Sequence, residues 1–600
     1  MCGIAGMFGR GDLGVVGSML DTLRHRGPDD AHVIAGERFA IGARRLSIID
    51  VEGGRQPLTN EDGTIVAAQN GELYNFPVLR PQLVANGHQF RSRTDTEVLP
   101  HLWEECGERL LQRIDGMFAV ALWDERRQTG FLARDRMGKK PLYYWQRDGI
   151  LYFASELKAI LAIPGFDQRL NVEALHHYLS YKHVPHPLTI FEGVRMLPPA
   201  HALTFRPDEV PVVRRYWSLS FAPDDRAMGE GEATDELLRL MTDAVRRRLM
   251  SDVPVGFFLS GGIDSSLTTA LAAEQAPGRI KTFTLTYASG SGTEGKAQDR
   301  RWARWVADTY GTEHVEEEVA FGSFPSNIRR ILRAFDEPFA GVVSTYFLSQ
   351  RMAQHVKVAV AGDGADELFG SYLSHRIAAG AQSLPGADGQ PDWAWRARLL
   401  VLTDEEKAAL YSPDVREAMA VHPTSAHLAE RFAHLTACDP LNRMLEAEWS
   451  GIFPDQVLTF VDRLSMAHSL EVRSAFLDTE VVQFVARLPG TLKIRDGETK
   501  YLLKQAARRY FPEEMVARPK EGFLMPVTSW MLGELRPWAR ETLSAERLRI
   551  HGLFDAGRVT SLVNRLSEPG ADYTDVNKAL ALVIFQEWYE LYMKGGRAHP

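Results

Sequence analysis

Hydrophobic positions follow two rhythms along this chain of 600 residues. Up to about residue 217 they come as short alternating runs, the period of strands with one buried face. Gly116–Trp123 and Gly130–Arg134 read as paired strands. Leu142–Trp145 and Ile150–Phe153 flank Asp148-Gly149 and read as a hairpin. One helical stripe interrupts them: Leu99, Leu102, Trp103, Cys106, Leu110 and Ile114 fall on a single face, which predicts a core role for Cys106. Ser218 to Thr234 turns to Pro, Asp, Gly and Glu without apolar periodicity and reads as a linker. Beyond it the rhythm becomes helix 235–250, strand Val253–Leu259, helix 265–275, strand Thr282–Thr286 and, further on, strand Val356–Ala361. That alternation predicts a doubly wound, mostly parallel sheet. Ala378–Asp392 reads as a mobile loop, helical periodicity dominates from about 400, and no internal repeat is visible.

Composition changes this picture only by exclusion. Apolar residues make up 45% and charged residues 24%, as in soluble globular proteins. The net charge of −9 and the lack of a basic run argue against nucleic-acid partners. No 18-residue apolar stretch and no leader pattern is present, so no membrane partner is expected. The three cysteines, Cys2, Cys106 and Cys438, have neither disulfide nor zinc spacing. A reducing, cytoplasmic setting is the expectation.

Chemistry enters at Cys2. Once Met1 is trimmed, one residue carries a thiol nucleophile and an α-amine whose reference pKa of about 7.7–8.0 suits it as base. Polar segments follow at Arg24–Asp29, Arg44–Asp50, Asn70–Asn75 and Ser92–Glu97. Asn70 with the Gly71 N–H offers donors for a tetrahedral oxyanion. Arg45 and Asp95 suit the carboxylate and ammonium of an amino-acid substrate.

The later half carries Ser260-Gly261-Gly262-Ile263-Asp264-Ser265-Ser266, placed between an apolar strand and a helix. Glycines admit phosphate oxygens to the backbone, the helix start presents N–H groups, and Ser260 and Ser265 add hydroxyls. Asp264 suits magnesium. This is not a Walker loop. A second acidic loop, Ala361-Gly362-Asp363-Gly364-Ala365-Asp366-Glu367-Leu368-Phe369-Gly370, follows strand Val356–Ala361, and its carboxylates call for a cation.

In this order the front segments, with Arg134–Tyr144, resemble the glutaminase domain of class II glutamine amidotransferases. That resemblance implies an N-terminal-nucleophile αββα sandwich over 2–217, with Cys2 as nucleophile, Asn70 and Gly71 as oxyanion hole, and Arg45, Asn70, Gly71, Glu72 and Asp95 holding glutamine. The later loops resemble an ATP-pyrophosphatase domain, which splits ATP to AMP and pyrophosphate. With Val461–Arg473, Thr499–Lys504 and Arg518–Phe523, the chain is identified as a member of the glutamine-hydrolysing asparagine synthetase family. A synthetase domain over 235–600, behind the 218–234 linker, is thereby implied. The resemblance further implies ATP and Mg2+, with Phe258, Ser260, Gly261, Gly262, Asp264, Ser265, Leu285, Ala361 and Gly362 at the nucleotide. Asp264 and Asp366 would take magnesium, Asp363 and Lys500 would act in the amidation, and a homodimer is suggested.

Two departures stand out: Asp363 where many members carry glutamate, and Ser474-Ala475 where Val-Pro is frequent. Aspartate is the expected acceptor, with Arg463, Arg473, Lys500 and Lys520 as unranked cationic contacts. A different carboxylic acid, in specialised metabolite or cell-surface glycan assembly, is the alternative. A binding protein without turnover is disfavoured, because the motif residues for both half-reactions are present.

Overall fold

The computed structural model describes residues 2–223, 228–276, 278–287, 297–319, 323–387, 389–518 and 526–593. The alternating runs of the front half form two six-stranded antiparallel sheets. The first orders its strands Val194–Met196, Tyr143–Arg147, Ile150–Ala154, Cys2–Phe8, Phe39–Arg45 and Asp30–Ala35. The second runs Val212–Arg215, His201–Phe205, Thr129–Arg134, Gly116–Asp124, Ile65–Leu73 and Leu58–Thr59. The central strands are buried on both faces rather than one, because alternate side chains face the other sheet and the covering helices. Ile4, Phe8, Ile41 and Ala43 of one sheet meet Val66, Ala68, Ala119, Ala121 and Trp123 of the other. Helices Leu13–Asp21 and Leu157–Leu161 cover the first sheet, and Phe76–Ala85 and Val98–Cys106 the second. The result is the αββα sandwich.

The expected hairpin is present, with Tyr143–Arg147 paired to Ile150–Ala154. Asp148 and Gly149 both sit at positive φ, 52° and 75°, which matches the right-handed twist of the strands they join. The 99–114 stripe is not one helix. Gly107, at φ 57°, stops the first helix at Cys106, and a short helix Leu110–Arg113 follows. Cys106 is therefore at the rim of its cluster, half-buried, with its thiol donating to the Leu102 carbonyl at 3.1 Å.

The last residues of the expected linker are helical, because helix Glu230–Arg248 starts earlier than its apolar stripe. Its first turn is held from outside by Arg495 and Tyr501 on Glu230. Strand Val255–Phe258 begins later than expected, after Pro254, which lacks the N–H a strand requires.

All five strands of the third sheet are parallel, ordered Glu313–Val319, Lys281–Tyr287, Val255–Phe258, Val358–Ala361 and Glu471–Ser474. Strand order reverses between Val255–Phe258 and Val358–Ala361, which opens a crevice at their carboxyl ends. Helices dominate from Asp392 to the last one, Tyr573–Tyr592. That helix is tied to the front half where Tyr178 donates to the Ala581 carbonyl at 2.9 Å.

Candidate active sites

Cys2 opens the central strand of the first sheet, opposite Arg45, with 4% of its surface exposed. Asn70, in Ile65–Leu73, reaches across from the second sheet. Its Oδ1 accepts the Cys2 N–H at 3.3 Å. That contact fixes the amide orientation and leaves Asn70 Nδ2 buried without a partner among the described residues. A buried donor left unmet costs about 1–3 kcal/mol, so its persistence marks a place built for an acceptor. Gly71 follows at φ 152°, and a Cβ there would lie 1.9 Å from the Met117 carbonyl oxygen.

Burial raises the Cys2 thiol above its ordinary pKa, with Arg45 opposing the shift and Asp95 adding to it. Arg45 donates to the carbonyls of Val51 (3.1 Å), Ile49 (2.9 Å) and Asp50 (2.6 Å). Of its five N–H donors these contacts leave two. Asp95 accepts from Gln69 Nε2 (2.7 Å), Leu73 N–H (2.8 Å) and Thr94 Oγ1 (3.0 Å). Burial raises its pKa against those bonds.

Glu72 turns away toward the later half, where its Oε1 lies 3.3 Å from Arg473. Burial, then the Asp95 and Glu471 charges, push its carboxyl well above the usual range. Gln56 was not legible in the sequence. Its Nε2 donates to Cys2 Sγ at 3.6 Å while its Oε1 accepts the Gln69 N–H at 2.7 Å. Nothing in its loop composition distinguishes it from a surface glutamine.

The second centre lies in the crevice of the parallel sheet. A cavity of about 1560 Å³ is lined there by Phe258, Ser260, Asp264, Ser265, Leu285, Ala361, Gly362, Asp363 and Asp366. Gly261 and Gly262 form the turn beside it. Gly261 has φ 82°, and a Cβ would stand 2.1 Å from the Asp299 carbonyl oxygen. Ser265 Oγ accepts the Ser260 N–H at 3.1 Å, and the two hydroxyls meet at 3.0 Å. The acidic loop packs directly on this turn, since a Cβ on Gly362 would come within 3.0 Å of Asp264 Cβ.

Lys500 joins the loops. Its Nζ is 2.5 Å from Asp264 and 2.6 Å from Asp366. It starts helix Tyr501–Ala507 from a left-handed backbone (φ 55°). Burial alone would lower its pKa, but the two carboxylates overcome this and raise it. The paired carboxylates thus already share one cation, and their oxygen donors fit Mg2+. Arg518, noted in the sequence only as part of a motif, donates to the Gly261 carbonyl at 2.8 Å and to Asp299 at 2.5 Å.

The two departures from the family pattern are in contact. Ser474 Oγ donates to the Asp363 carbonyl at 2.7 Å, so the hydroxyl positions the loop that carries the shorter acid. The Asp363 carboxylate faces Lys139 of the front half at 3.5 Å, and burial raises its pKa against that charge.

Of the acceptor candidates among the described residues, Lys500 alone is at this centre. Arg463 pairs with Glu156 (3.0 Å), and Arg473 with Glu471 (2.6 Å), both at the contact between halves. Buried carboxylates hold these charges, so the cavity walls receive neither. Lys520 lies outside the described residues. The cavity instead receives Lys182 and Arg376, which sequence spacing did not single out.

Buried ions connect the centres. Arg26, fully buried, donates to the Cys2 carbonyl (3.3 Å), Glu156 (2.8 Å) and Asp462 (2.8 Å). Lys140 also binds Asp462 at 3.2 Å, next in sequence to the Lys139 that faces Asp363.

Comparison with known proteins agrees with this two-centre layout. Residues 236–590 match the asparagine synthase family model, and residues 1–217 match the glutamine amidotransferase domain model. The chain is 31% identical to asparagine synthetase [glutamine-hydrolyzing] 1 of Bacillus subtilis, covering 98% of this chain and 97% of that protein. It is 32% identical to a putative asparagine synthetase [glutamine-hydrolyzing] of Mycobacterium tuberculosis, covering 99% and 96%. It is also 29% identical to amidase chyE of Penicillium rubens, covering 89% and 88%. A synthase match over more than half of the chain, with relatives aligned over nearly its full length, makes this chain a member of the glutamine-hydrolysing asparagine synthetase family, an enzyme of glutamine-dependent amidation.

Proposed function

We propose that the chain converts aspartate to asparagine, through an acyl-adenylate, with ammonia released from glutamine. The division of labour follows the two centres: a glutaminase unit over 2–217, a linker over 218–234 and a synthetase unit over 235–600.

In the first half-reaction the Cys2 thiol, activated by its own α-amine once Met1 is gone, attacks the glutamine side-chain amide. Arg45 and Asp95 hold the substrate's carboxylate and ammonium. Asn70 Nδ2 and the Gly71 N–H receive the oxyanion. Ammonia leaves, and water hydrolyses the remaining thioester to glutamate.

In the second, ATP lies against Ser260–Ser265 with its base and ribose toward Phe258, Leu285, Ala361 and Gly362. The acceptor carboxylate attacks the α-phosphorus and expels pyrophosphate. Lys500 offsets charge on the phosphates. Asp264 and Asp366 would hold Mg2+, which supplies further charge neutralisation to the pyrophosphate oxygens. Ammonia then attacks the acyl carbon and expels AMP, with Asp363 oriented by Lys139 to receive a proton. Solvent would convert ammonia to ammonium, so internal transfer preserves the nucleophile.

The single observation that carries this reading is Arg26, which bonds the Cys2 carbonyl and the buried Asp462 of the other half. Two unrelated activities would not require such a joint. A second reading, amidation of a different carboxylic acid, is favoured by the likeness to amidase chyE of Penicillium rubens, 29% identical over 89% of this chain.

The test incubates the purified protein with ATP, glutamine and aspartate and quantifies products. Asparagine, glutamate, AMP and pyrophosphate are expected in equal amounts. ADP in place of AMP would overturn the acyl-adenylate. AMP and product formed only with another carboxylic acid would favour the second reading.

A further inference from the structure

A second cluster of ligand-type side chains sits in the front half and belongs to neither reaction centre. Glu61 lies in the turn between Leu58–Thr59 and Ile65–Leu73, His88 follows helix Phe76–Ala85, and His101 and Glu104 share one face of helix Val98–Cys106. One ligand atom from each lies within 4.8 Å of all the others. Glu61 Oε1 is 3.1 Å from His88 Nδ1 and 3.5 Å from His101 Nδ1.

His101 supplies the independent observation. It is fully buried, yet neither ring nitrogen has a hydrogen-bond partner among the described residues. Its ring is fixed instead by packing, with centroids 4.7 Å from His88 and 4.6 Å from Phe90. Outer contacts already orient the acids. Asn60 Nδ2 donates to Glu104 at 3.2 Å, and the Gln89 N–H donates to Glu61 at 2.8 Å. Supporting bonds of this kind are what aim metal ligands.

We propose that Glu61, His88, His101 and Glu104 form a structural site for a first-row divalent transition metal of Zn2+ type. Two imidazoles with two carboxylates suit Zn2+ and its neighbours rather than Mg2+. Four protein ligands leave no open coordination position, which is the pattern of structural zinc. Ligand bonds of about 2.0–2.2 Å put tetrahedral ligand atoms roughly 3.4 Å apart. Reaching that spacing from 4.8 Å requires the side chains of the half-buried Glu61 and exposed Glu104 to move inward on binding. The metal would pin both ends of the segment from His88 to His101, within which Asp95 is carried.

The test uses the full-length chain, stripped with chelator and titrated with ZnCl2 or CoCl2 in the absence of ATP. Wild type is expected to bind one Zn2+ per chain more than His88→Gln or His101→Gln. Its Co2+ form should show tetrahedral d–d absorption without a thiolate-to-metal band, which excludes the cysteines. Melting of the full chain should rise by roughly 2 °C at a hundredfold excess of Zn2+ over Kd, and in neither variant. Asn60→Ala should weaken binding about tenfold. Should His101→Gln fail to fold, His88→Gln and Glu104→Gln, at less buried positions, carry the comparison. Equal Zn2+ binding by wild type and variants, or a thiolate band, would overturn the site, as would displacement by millimolar Mg2+.

Discussion

Asn70 does two jobs with one side chain: its oxygen accepts the Cys2 N–H, and its Nδ2 remains as a donor for a substrate. Asn70→Ala should therefore lower glutaminase kcat about 10²–10³-fold while glutamine KM changes little. Steady-state glutamate release measures both. Loss of KM alone would make Asn70 a binding residue. Cys2→Ala should abolish glutamate release yet leave AMP and amide formation from ammonium chloride near wild type. Loss of that ammonia-dependent reaction would mean the later centre is not independent.

At the scale of elements, close approach decides which residues are permitted. Strands Ile65–Leu73 and Gly116–Asp124 pair with Gly71 opposite Phe118, where any Cβ collides with the Met117 carbonyl. Gly71→Ala should destabilise the sandwich by about 1–3 kcal/mol, read by urea unfolding of the full chain, as well as displacing a proposed oxyanion donor. An unchanged unfolding midpoint would show that the strand pair relaxes freely. In the parallel sheet, Lys500 from a helix start fills the gap between two loop carboxylates. Lys500→Met should reduce AMP formation at least about a hundredfold and leave glutamine hydrolysis within about threefold of wild type. Equal loss of both activities would indicate collapse rather than loss of charge at the nucleotide.

The whole molecule is joined by buried ions. Burial works to raise the Asp462 pKa, but Arg26 and Lys140 prevail and lower it to about 2. A depressed carboxylate contributes stability that is present above its unfolded pKa of about 3.9 and is lost as pH falls through the folded value. Docking of the two halves should weaken between about pH 4 and pH 2. Asp462→Asn should remove that slope and cost about 3–5 kcal/mol, because Arg26 and Lys140 lose their shared partner. Near-UV circular dichroism against pH follows the effect, and the ratio of glutamate to AMP should rise above one in the variant. A ratio of one with an unchanged acid transition would remove Arg26 and Asp462 from the coupling.

Short-range information sufficed for the elements and loops. The hairpin at Asp148-Gly149, the turn Ser260–Ser266 after its strand and the acidic loop after Val358–Ala361 each depend on neighbours a few residues away, so the sequence determined them. It also carried the motif residues proposed for the two centres, because motif spacing is local. Helix ends were less legible at Glu230 and Gly107, where a distant partner or one backbone angle decided the boundary. What only the tertiary structure decided is which charges are available. Arg463 and Arg473 read as acceptor contacts in one dimension, but folding gives them to Glu156, Glu471 and Glu72, while Lys182 and Arg376 reach the cavity from remote positions. Gln56 at the thiol and Lys139 at Asp363 were hidden for the same reason. A charge or amide acquires its role from the partners that burial forces upon it, and those partners are set by packing across hundreds of residues.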